Sequence, residues 1–304
     1  MAPTRVEVDI DGRTLSLSNL EKVLYPKAGF TKGQVIDYYT RIAPVVLPHL
    51  RHRPLTLKRY PIGVDGQFFY EKQCPSHRPD WVRTAPVWSR HTKRTIEFCV
   101  VDDLPTLVWT SNLADLELHT SLARVDDVTA PRILAFDLDP GPPATIVQCA
   151  EVAVRLREVF EHLGLECFSK TSGSKGMQVY VPLNVPTTYA TTKPFANAIA
   201  QLLERLHPEL VVSDMKKTLR TGKVLVDWSQ NDEHKTTVSV YSLRARDFPT
   251  VSTPITWEEV EAVLDSREPD DLVFDSAAVL ARVAEHGDLF APVEALEQEL
   301  PSSL

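Results

Sequence analysis

Three aspartates that follow apolar, strand-like segments are the residues of this chain whose types and spacing most directly suggest chemistry. Asp137 and Asp139 lie at the end of "ILAFDLDPG", and Asp227 lies in "KVLVDWSQN". Because residues two apart in a strand point to the same face, the carboxylates of Asp137 and Asp139 should stand together. Two anions held that close need a shared proton or a cation. If the two strands are neighbours, three carboxylates converge into the oxygen-rich set that Mg²⁺ or Mn²⁺ prefers.

The acids alone do not select one reaction. Two metal ions in such a site would suit a polymerase, a nuclease or a phosphatase, and an Asp-x-Asp pair is equally compatible with a strand end in which one aspartate caps a helix. A haloacid-dehalogenase-type phosphatase carries a similar pair, but Pro140 and Gly141 follow here in place of its usual continuation. Glycosyltransferases also use Asp-x-Asp, but their usual nucleotide-binding features are not visible in this sequence.

A polar loop, "TSGSKG", lies between two predicted strands. Its backbone N–H groups and the ammonium of Lys175 suit an oligophosphate. The pattern is short, and an ordinary polar turn has the same composition. It is not a Walker A loop, because GxxxxGK[ST] is not matched.

The elements that must position these residues alternate between strand and helix patterns, which predicts an α+β or α/β class. "RVEVDIDGRTLSLS" predicts a hairpin with an Asp-Gly turn. Helices are predicted after Thr31, over "TIVQCAEVAVRLREVFEHLG", and over 195–206. Strands are predicted over "RPLTLKRYP", "GQFFYEKQ", "ECFSK", "MQVYVPL", "KVLVDW" and "TTVSVYS", and the last 50 residues are predicted to be helical and acidic.

Composition indicates an ordinary globular protein, with 43% hydrophobic and 24% charged residues and a net charge of −8. Residues 257–304 carry 13 Asp and Glu against two Arg, so residues 1–256 are mildly basic, at +3. We therefore expect one domain over 1–304 with a basic catalytic body and an acidic helical segment. No apolar run approaches the roughly 20 residues of a membrane span, and no signal peptide is apparent, so a cytoplasmic location is expected. The four cysteines show no CxxC spacing and are predicted to be reduced packing residues.

The combination of "FDLDPG", "TSGSKGMQVYVPL", "KVLVDWSQN" and "KTTVSVYSLRAR" is far more specific than any one of these motifs. Together they resemble the polymerase domains of the archaeo-eukaryotic primase superfamily, including the domain attached to bacterial ATP-dependent DNA ligase D and its stand-alone relatives. The resemblance extends over nearly the whole chain, from "NLEKVLYP" onward. It implies an α+β primase-polymerase core, with mixed and antiparallel sheets flanked by helices.

The resemblance also implies roles for individual residues. Asp137, Asp139 and Asp227 match the carboxylates that bind two Mn²⁺ or Mg²⁺ ions and perform catalysis. The nucleotide-binding positions, including the base-stacking aromatics Phe69 and Tyr70, are Lys58, Phe69, Tyr70, His119, Ser172, Lys175, Arg220, Gln230 and Arg244. The positions that match a DNA 5′-phosphate pocket are Asn19, Lys22 and Lys32. Taken singly, His119 is as compatible with a core histidine, and Arg220 with an exposed charge.

The function implied is template-directed addition of nucleotides, with a preference for ribonucleotides, to fill short gaps bearing a 5′-phosphate during end joining or excision repair. Gln178 is a departure, because many relatives have histidine there. The sequence ends without signs of ligase or nuclease modules, so we expect a separate ATP-dependent DNA ligase and an end-binding protein as partners, near the nucleoid. Two other hypotheses remain open at this point: a metal-dependent nuclease or phosphoesterase, and a non-catalytic module that binds DNA ends.

Overall fold

The computed structural model describes residues 5–89 and 92–301. Its strands, in chain order, are β1 (Arg5–Ile10), β2 (Arg13–Ser18), β3 (Val23–Tyr25), β4 (Phe30–Thr31), β5 (Pro54–Arg59), β6 (Phe69–Glu71), β7 (Thr84–Ser89), β8 (Arg94–Val100), β9 (Asp115–Thr120), β10 (Ala123–Arg124), β11 (Asp127–Pro131), β12 (Ile133–Pro140), β13 (Phe168–Thr171), β14 (Met177–Pro182), β15 (Val211–Val212), β16 (Val224–Asp227), β17 (Thr237–Val238) and β18 (Pro254–Ile255). Its α-helices are α1 (Lys32–Leu50), α2 (Leu104–Asn112), α3 (Ile146–His162), α4 (Tyr189–Leu206), α5 (Trp257–Ser266), α6 (Ser276–His286) and α7 (Pro292–Ala295). Short 3₁₀ helices lie at Lys217–Leu219, Trp228–Gln230 and Pro269–Leu272. The α+β class predicted from the sequence is confirmed.

The chain forms two compact units, each built from separate stretches of sequence. Unit 1 comprises the described residues of Met1–Ser121, Val238–Val251 and Asp275–Gly287. Unit 2 comprises the described residues of Leu122–Thr237, Ser252–Phe274 and Asp288–Leu304. The acidic C-terminal segment is therefore divided between the two units. That 1–304 acts as a single domain stays a prediction.

Unit 1 is organised by a sheet in the order β17-β9-β5-β8-β7. Strand β6 also pairs with β5, at residues 57–59. The strand pairs β5–β6, β5–β8, β5–β9 and β7–β8 are antiparallel, and β9 is buried along its whole length. The predicted first hairpin is present, because β1 and β2 pair in register around Asp11 and Gly12, both with positive φ. An Asp-Gly turn tolerates that backbone conformation.

Unit 2 is organised by a sheet in the order β15-β16-β12-β14-β13-β18, in which only the β15–β16 pair is parallel. One face of this sheet is apolar: Phe136 and Leu138 of β12 are fully buried in the core with Val226 of β16. The ring of Phe136 lies 5.6 Å from that of Phe160 on α3. Because strand side chains alternate, the residues between these core positions must point to the opposite face.

The predicted helix starts are explained by capping. Thr31 caps α1 in a capping box with Gln34, and Thr145 caps α3 in a capping box with Gln148. The predicted stop after α3 is also present, with Gly164 at a φ of 71°. The third predicted helix was placed too short, because α4 begins at Tyr189 and continues through Pro194, which no local pattern indicates.

Two glycines allow backbone segments of unit 2 to approach one another closely. A Cβ on Gly176 would lie 2.0 Å from the carbonyl oxygen of Leu138, and a Cβ on Gly141 would lie 1.8 Å from that of Arg220. Neither distance is tolerated, so only glycine fits at these two positions. The C-terminal end of β12 is thereby held against the Thr171–Gly176 loop and against the segment that precedes β16.

One sequence-based prediction about cysteine is wrong. Cys74 and Cys99 form a disulfide in unit 1, with Cα atoms 5.0 Å apart, although four reduced thiols were expected. The two lie 25 residues apart in sequence, so only the fold brings them together. Cys149 and Cys167 are free and buried, as predicted. Across the described ranges, no helix is both long and apolar enough to cross a bilayer.

Candidate active site

The polar face of the unit 2 sheet carries a row of four directly opposed residues, one on each of four adjacent strands. Asp227 of β16 is opposite Asp137 of β12, which is opposite Gln178 of β14, which is opposite Lys170 of β13. Asp139 lies two residues beyond Asp137 on the same face, opposite Leu225. The predicted adjacency of the two aspartate-bearing strands is therefore observed.

Amide and hydroxyl donors hold the carboxylates of Asp137 and Asp227. Gln178 donates from Nε2 to Oδ1 of Asp137 at 3.0 Å, and the Tyr180 hydroxyl donates to the side-chain Oε1 of Gln178 at 3.3 Å. Asp227 accepts from the backbone N–H and the hydroxyl of Ser229 at 2.8 and 2.6 Å, and from Nε2 of Gln230 at 2.8 Å. Each donor fixes the orientation of a carboxylate that faces another carboxylate.

The acidic row perturbs the protonation of its central member. Burial, followed by repulsion from Asp139, raises the pKa of Asp137 to about 7, and Asp227 adds to this effect. The hydrogen bond from Gln178 and the charge of Lys170 act in the opposite direction. Near neutral pH the sheet therefore holds an aspartate that gives up its proton only with difficulty.

Lys170 is a fully buried cation at the far end of this row, and the sequence analysis did not identify it. Its ammonium donates to the hydroxyl of Ser252 at 2.7 Å and lies 5.4 Å from the ring centroid of Tyr180. A buried charge without compensation is strongly destabilising, so Lys170 depends on the nearby carboxylates to compensate its charge. The carboxylates and Lys170 offset one another's charge.

Asp137, Asp139 and Asp227 are suitable ligands for a hard divalent cation, because all three offer carboxylate oxygens. Among the described residues, however, no group of three or more His, Cys, Asp or Glu side chains that could hold a metal ion is found. The carboxylates of Asp137 and Asp227 are instead turned toward the amide and hydroxyl donors described above. The strand register brings Asp137 and Asp227 to facing positions, and these two acids with Asp139 are the residues that would hold such a cation.

The Thr171–Gly176 loop adjoins this row. The hydroxyl of Ser172 accepts from the backbone N–H groups of Ser174 and Gly176, both at 3.2 Å, and the Ser172 N–H donates to the Gly176 carbonyl at 2.9 Å. These bonds close the loop on itself and leave the side chain of Lys175 exposed to solvent. The loop thus offers a preformed backbone and the exposed ammonium of Lys175 beside the acids.

Two further predicted nucleotide contacts in unit 2 have partners within the protein. Gln230 holds Asp227, as described, and Arg220 donates to the carbonyl oxygen of Met215 at 2.6 Å. The backbone of Arg220 is also the segment that Gly141 approaches. The structure therefore places both residues beside the strands that bear the aspartates.

Three other predicted nucleotide contacts meet in unit 1, around a residue that the sequence analysis passed over. Glu117 of β9 has its Oε2 atom 3.0 Å from Nζ of Lys58, 3.1 Å from Nε2 of His119 and 3.3 Å from Nε of Arg244. Burial lowers the pKa of His119, and the contact with Glu117 partly offsets this effect. The motif "LELHTS" contained the signal, because Glu117 and His119 are two apart in a strand and share a face.

The predicted base-stacking aromatics are both exposed, at 42% for Phe69 and 55% for Tyr70. They lie on opposite faces of β6 and have different neighbours. Tyr70 is opposite Lys58 and its ring lies 5.7 Å from that of His119, whereas the ring of Phe69 lies 5.1 Å from the guanidinium of Arg59. Only Tyr70 of the pair therefore adjoins the basic cluster. Phe68, which was not predicted, is 51% exposed, and its ring centroid is 4.8 Å from Nζ of Lys58.

The three residues predicted to bind a DNA 5′-phosphate are brought together at the start of α1 in unit 1. The Lys32 backbone N–H donates to the Lys22 carbonyl at 2.8 Å, and Asn19 and Lys22 line one cavity with Leu20 and Glu21. Nζ of Lys32 donates to the Ser18 carbonyl at 2.6 Å and is buried. Burial, and then repulsion from Lys22, lowers the pKa of Lys32 to about 8.

The predicted residues thus form two sets, one in each unit. Unit 2 holds Asp137, Asp139, Asp227, Ser172, Lys175, Arg220 and Gln230, and unit 1 holds Lys58, Phe69, Tyr70, His119, Arg244, Asn19, Lys22 and Lys32. Within each unit the structure groups them as described. Their individual functional roles stay predictions.

Comparison with known proteins identifies the family. The family model "LigD, primase-polymerase domain" matches residues 31–290. The chain is 43% identical over 282 residues to the "Multifunctional non-homologous end joining protein LigD" of Mycolicibacterium smegmatis, covering 92% of this chain and 36% of that protein. It is 29% identical over 290 residues to the bifunctional LigD of Bacillus subtilis, covering 95% of this chain and 46% of that protein. The chain thus spans less than half the length of these relatives.

A solved structure agrees. The polymerase domain of Mycobacterium tuberculosis Ligase D in complex with DNA superposes with a TM-score of 0.86 at 40% sequence identity, covering 94% of this chain and 99% of that one. The resemblance inferred from the motifs is therefore confirmed, and so is membership of a class of metal-dependent polymerases that transfer nucleotides.

The raised pKa of Asp137 leads to a prediction about stability. Because the folded protein binds this proton more tightly than the unfolded chain, the charged form destabilises the fold. That destabilisation is absent below the ordinary pKa of 3.8, grows as the pH rises, and is complete above about 7. Asp137→Asn should therefore raise the Tm of the metal-free protein at pH 8 by roughly 2 to 6 °C, and by less at pH 5.

The measurement is thermal unfolding in a chelator, with Asp126→Asn as the control, because the side chain of Asp126 is 64% exposed. A gain of the same size at both pH values, or a loss at pH 8, would contradict the account of Asp137.

Proposed function

Because the chain belongs to the LigD primase-polymerase domain family, we propose that it is a template-directed nucleotidyltransferase that fills short DNA gaps during end joining or excision repair. Its substrates are a gapped or broken duplex with a 5′-phosphate and nucleoside triphosphates, with ribonucleotides preferred. The proposal includes a separate ATP-dependent DNA ligase, because a filled gap still has an unsealed nick. It also includes an end-binding protein and a cytoplasmic, nucleoid-associated location.

The observation that carries the proposal is the row that joins Asp227, Asp137 and Gln178 across three strands, with Asp139 beside it. The neighbouring carboxylates raise the pKa of Asp137, which is unfavourable for the fold alone but suits a site that binds a cation. Two Mn²⁺ or Mg²⁺ ions held by Asp137, Asp139 and Asp227 would supply activation of a primer 3′-hydroxyl and neutralisation of phosphate charge.

In the proposed reaction, the primer 3′-oxygen forms a bond to the α-phosphorus of the incoming nucleotide and loses its proton to solvent, while the bond to the departing pyrophosphate breaks. Gln178, Ser229 and Gln230 orient the carboxylates. The backbone N–H groups of the Thr171–Gly176 loop and the exposed ammonium of Lys175 are placed to bind phosphate oxygens.

In unit 1, the proposal assigns nucleotide binding to Lys58, His119 and Arg244, and base stacking to exposed aromatic rings. Stacking of a base on one aromatic ring is worth about 1 to 3 kcal/mol and is independent of sequence, as gap filling requires. Phe69 and Tyr70 are the predicted rings, and the exposure of Phe68 makes it a third candidate.

The experiment that tests the function is extension of a labelled primer on a gapped duplex, with each nucleotide set, in Mn²⁺ and in Mg²⁺. The wild-type protein should lengthen the primer, most efficiently with ribonucleotides. The variant Asp137→Ala/Asp139→Ala should extend it roughly 10³-fold more slowly or worse while still binding the duplex, and Asp126→Ala is the matched control.

Shortening of the primer on addition of metal would instead support a nuclease or phosphoesterase. Unchanged extension by the double variant would contradict the assignment of the acids. Duplex binding by a wild-type protein that never extends a primer would support a DNA-end-binding module.

The 5′-phosphate assignment predicts a selective loss. In Lys22→Glu and Lys32→Gln, affinity for a gap with a 5′-phosphate should fall about tenfold or more, because a charge-assisted hydrogen bond to the phosphate is lost. Affinity for the same gap without the phosphate should hardly change. Lys27→Glu is the control, because Lys27 is exposed and pairs with Asp247.

Fluorescence anisotropy with the two gapped duplexes at constant ionic strength measures this preference. Since the pKa of Lys32 is about 8, the wild-type preference should also weaken as the pH rises from 7 to 9. Equal losses for both duplexes would show that the pocket is wrongly assigned.

A further inference from the structure

Glu117 is a buried acid at the centre of the unit 1 cluster, and the proposed chemistry gives it no direct part. It lies on β9 between the fully buried Leu116 and Leu118, and only 2% of its surface is exposed. Burying a carboxylate in such surroundings is unfavourable unless charged and hydrogen-bonding partners compensate it. The partners of this carboxylate therefore indicate why it is there.

Both oxygens of Glu117 are fully engaged. Oε2 contacts Lys58, His119 and Arg244, at the distances given above. Oε1 accepts from the hydroxyl of Tyr60 at 3.2 Å and from the backbone N–H of Ala245 at 3.1 Å. Although burial raises the pKa of Glu117, its contact with His119 and the charges of Arg244 and Lys58 more than offset this and hold the pKa far below its usual range. Glu117 is thus an anion at any pH at which the protein functions.

The cluster has a definite arrangement from inside to outside. The side chain of Glu117 is 3% exposed, whereas those of His119, Lys58 and Arg244 are 11%, 12% and 17% exposed. The carboxylate therefore lies beneath three basic groups that each retain some access to solvent. With His119 neutral, the four groups together carry a net charge of +1, which suits an anionic ligand.

The carboxylate also limits the freedom of two flexible side chains. Nζ of Lys58 lies between Glu117 and the rings of Tyr60, Phe68 and Tyr70, whose centroids are 5.4, 4.8 and 5.5 Å away. Arg244 comes from a segment distant in sequence, and its neighbour Ala245 is fixed to the same carboxylate. Without Glu117, the charges of Lys58 and Arg244 would repel each other, and Nζ of Lys58 would lose its contact with a carboxylate.

We propose that Glu117 is a positioning residue for the incoming nucleotide: it holds Lys58, His119 and Arg244 as one preorganised set. This inference rests on the proposed function for the identity of the ligand. Because Lys58 and Arg244 are already held in place, the entropic cost of ordering these two side chains is not part of the binding free energy. The contact of Glu117 with Nε2 also orients the ring of His119. If Glu117 only stabilised the fold, the effect of its replacement on ligand affinity would not depend on whether Lys58 is present.

The test is equilibrium binding of ATP with Mn²⁺, together with thermal unfolding of every variant. Glu117→Gln keeps the shape of the side chain and removes its charge, so Kd for ATP should rise about tenfold or more. Asp102→Asn is the matched control, because Asp102 also contacts an arginine and a histidine, Arg83 at 2.8 Å and His52 at 3.8 Å, elsewhere in unit 1. Its Kd should equal that of the wild type.

A double-mutant cycle separates positioning from general destabilisation. Because Glu117 acts partly through Lys58, the loss of ATP affinity in Glu117→Gln combined with Lys58→Gln should be clearly smaller than the product of the two single losses. Losses that multiply, or a Glu117→Gln protein with wild-type affinity, would overturn the inference. If Glu117→Gln does not fold, Glu117→Asp retains the charge but withdraws it by one methylene. A severalfold weaker Kd for folded Glu117→Asp supports positioning, and wild-type affinity overturns it.

The outcome also separates this inference from the proposed function. A wild-type protein that binds ATP but extends no primer would contradict the polymerase function and leave the cycle on Glu117 valid. A wild-type protein that extends primers, with Glu117→Gln indistinguishable from it, would contradict this inference alone. Failure of the wild-type protein to bind ATP would overturn both.

Discussion

Repulsion between carboxylates, imposed by strand register, is the constraint on which the rest of this structure depends. Pairing of β12 with β16 places Asp137 directly opposite Asp227, and alternation along β12 adds Asp139 to the same face. Like charges in such positions are unfavourable, and the opposite face compensates with a core that includes Phe136, in contact with α3. The sheet thus uses hydrophobic packing on one face to hold an electrostatically strained arrangement on the other.

The neighbours of the acids reduce this strain without removing it. Gln178 donates one hydrogen bond to Asp137. Being neutral, it gives no full charge, and the fixed cation in the row is the buried Lys170. Unit 1 has the inverse arrangement, in which one buried acid, Glu117, is surrounded by three basic groups. In each unit, a buried ionic group thus offsets the opposite charge of the predicted site residues near it.

Local sequence patterns predicted some features of the fold and the candidate site, whereas others depend on the tertiary structure. Period-two alternation predicted that Asp137 and Asp139 share a face, Thr31 as a cap predicted where α1 begins, and an apolar stripe that stops at Gly164 predicted α3. The bond from Gln178 to Asp137, the disulfide between Cys74 and Cys99 and the position of Lys170 all depend on which distant strands pair, and no local pattern specifies that. Glu117 was overlooked because a single acid within a buried strand resembles an isolated polar residue until Arg244 is brought beside it. The family resemblance gave the roles of residues, whereas the structure gave their partners.

The most direct test of the central claim is titration with Mn²⁺, following the free ion by electron paramagnetic resonance, for the wild-type protein and for Asp227→Asn. If Asp227 and Asp137 share a cation across β16 and β12, the wild-type protein binds Mn²⁺ and releases protons on binding near pH 7, because Asp137 must ionise. In Asp227→Asn the affinity should fall about tenfold or more. Equal Mn²⁺ affinity in the two proteins would contradict a cation site shared by these strands.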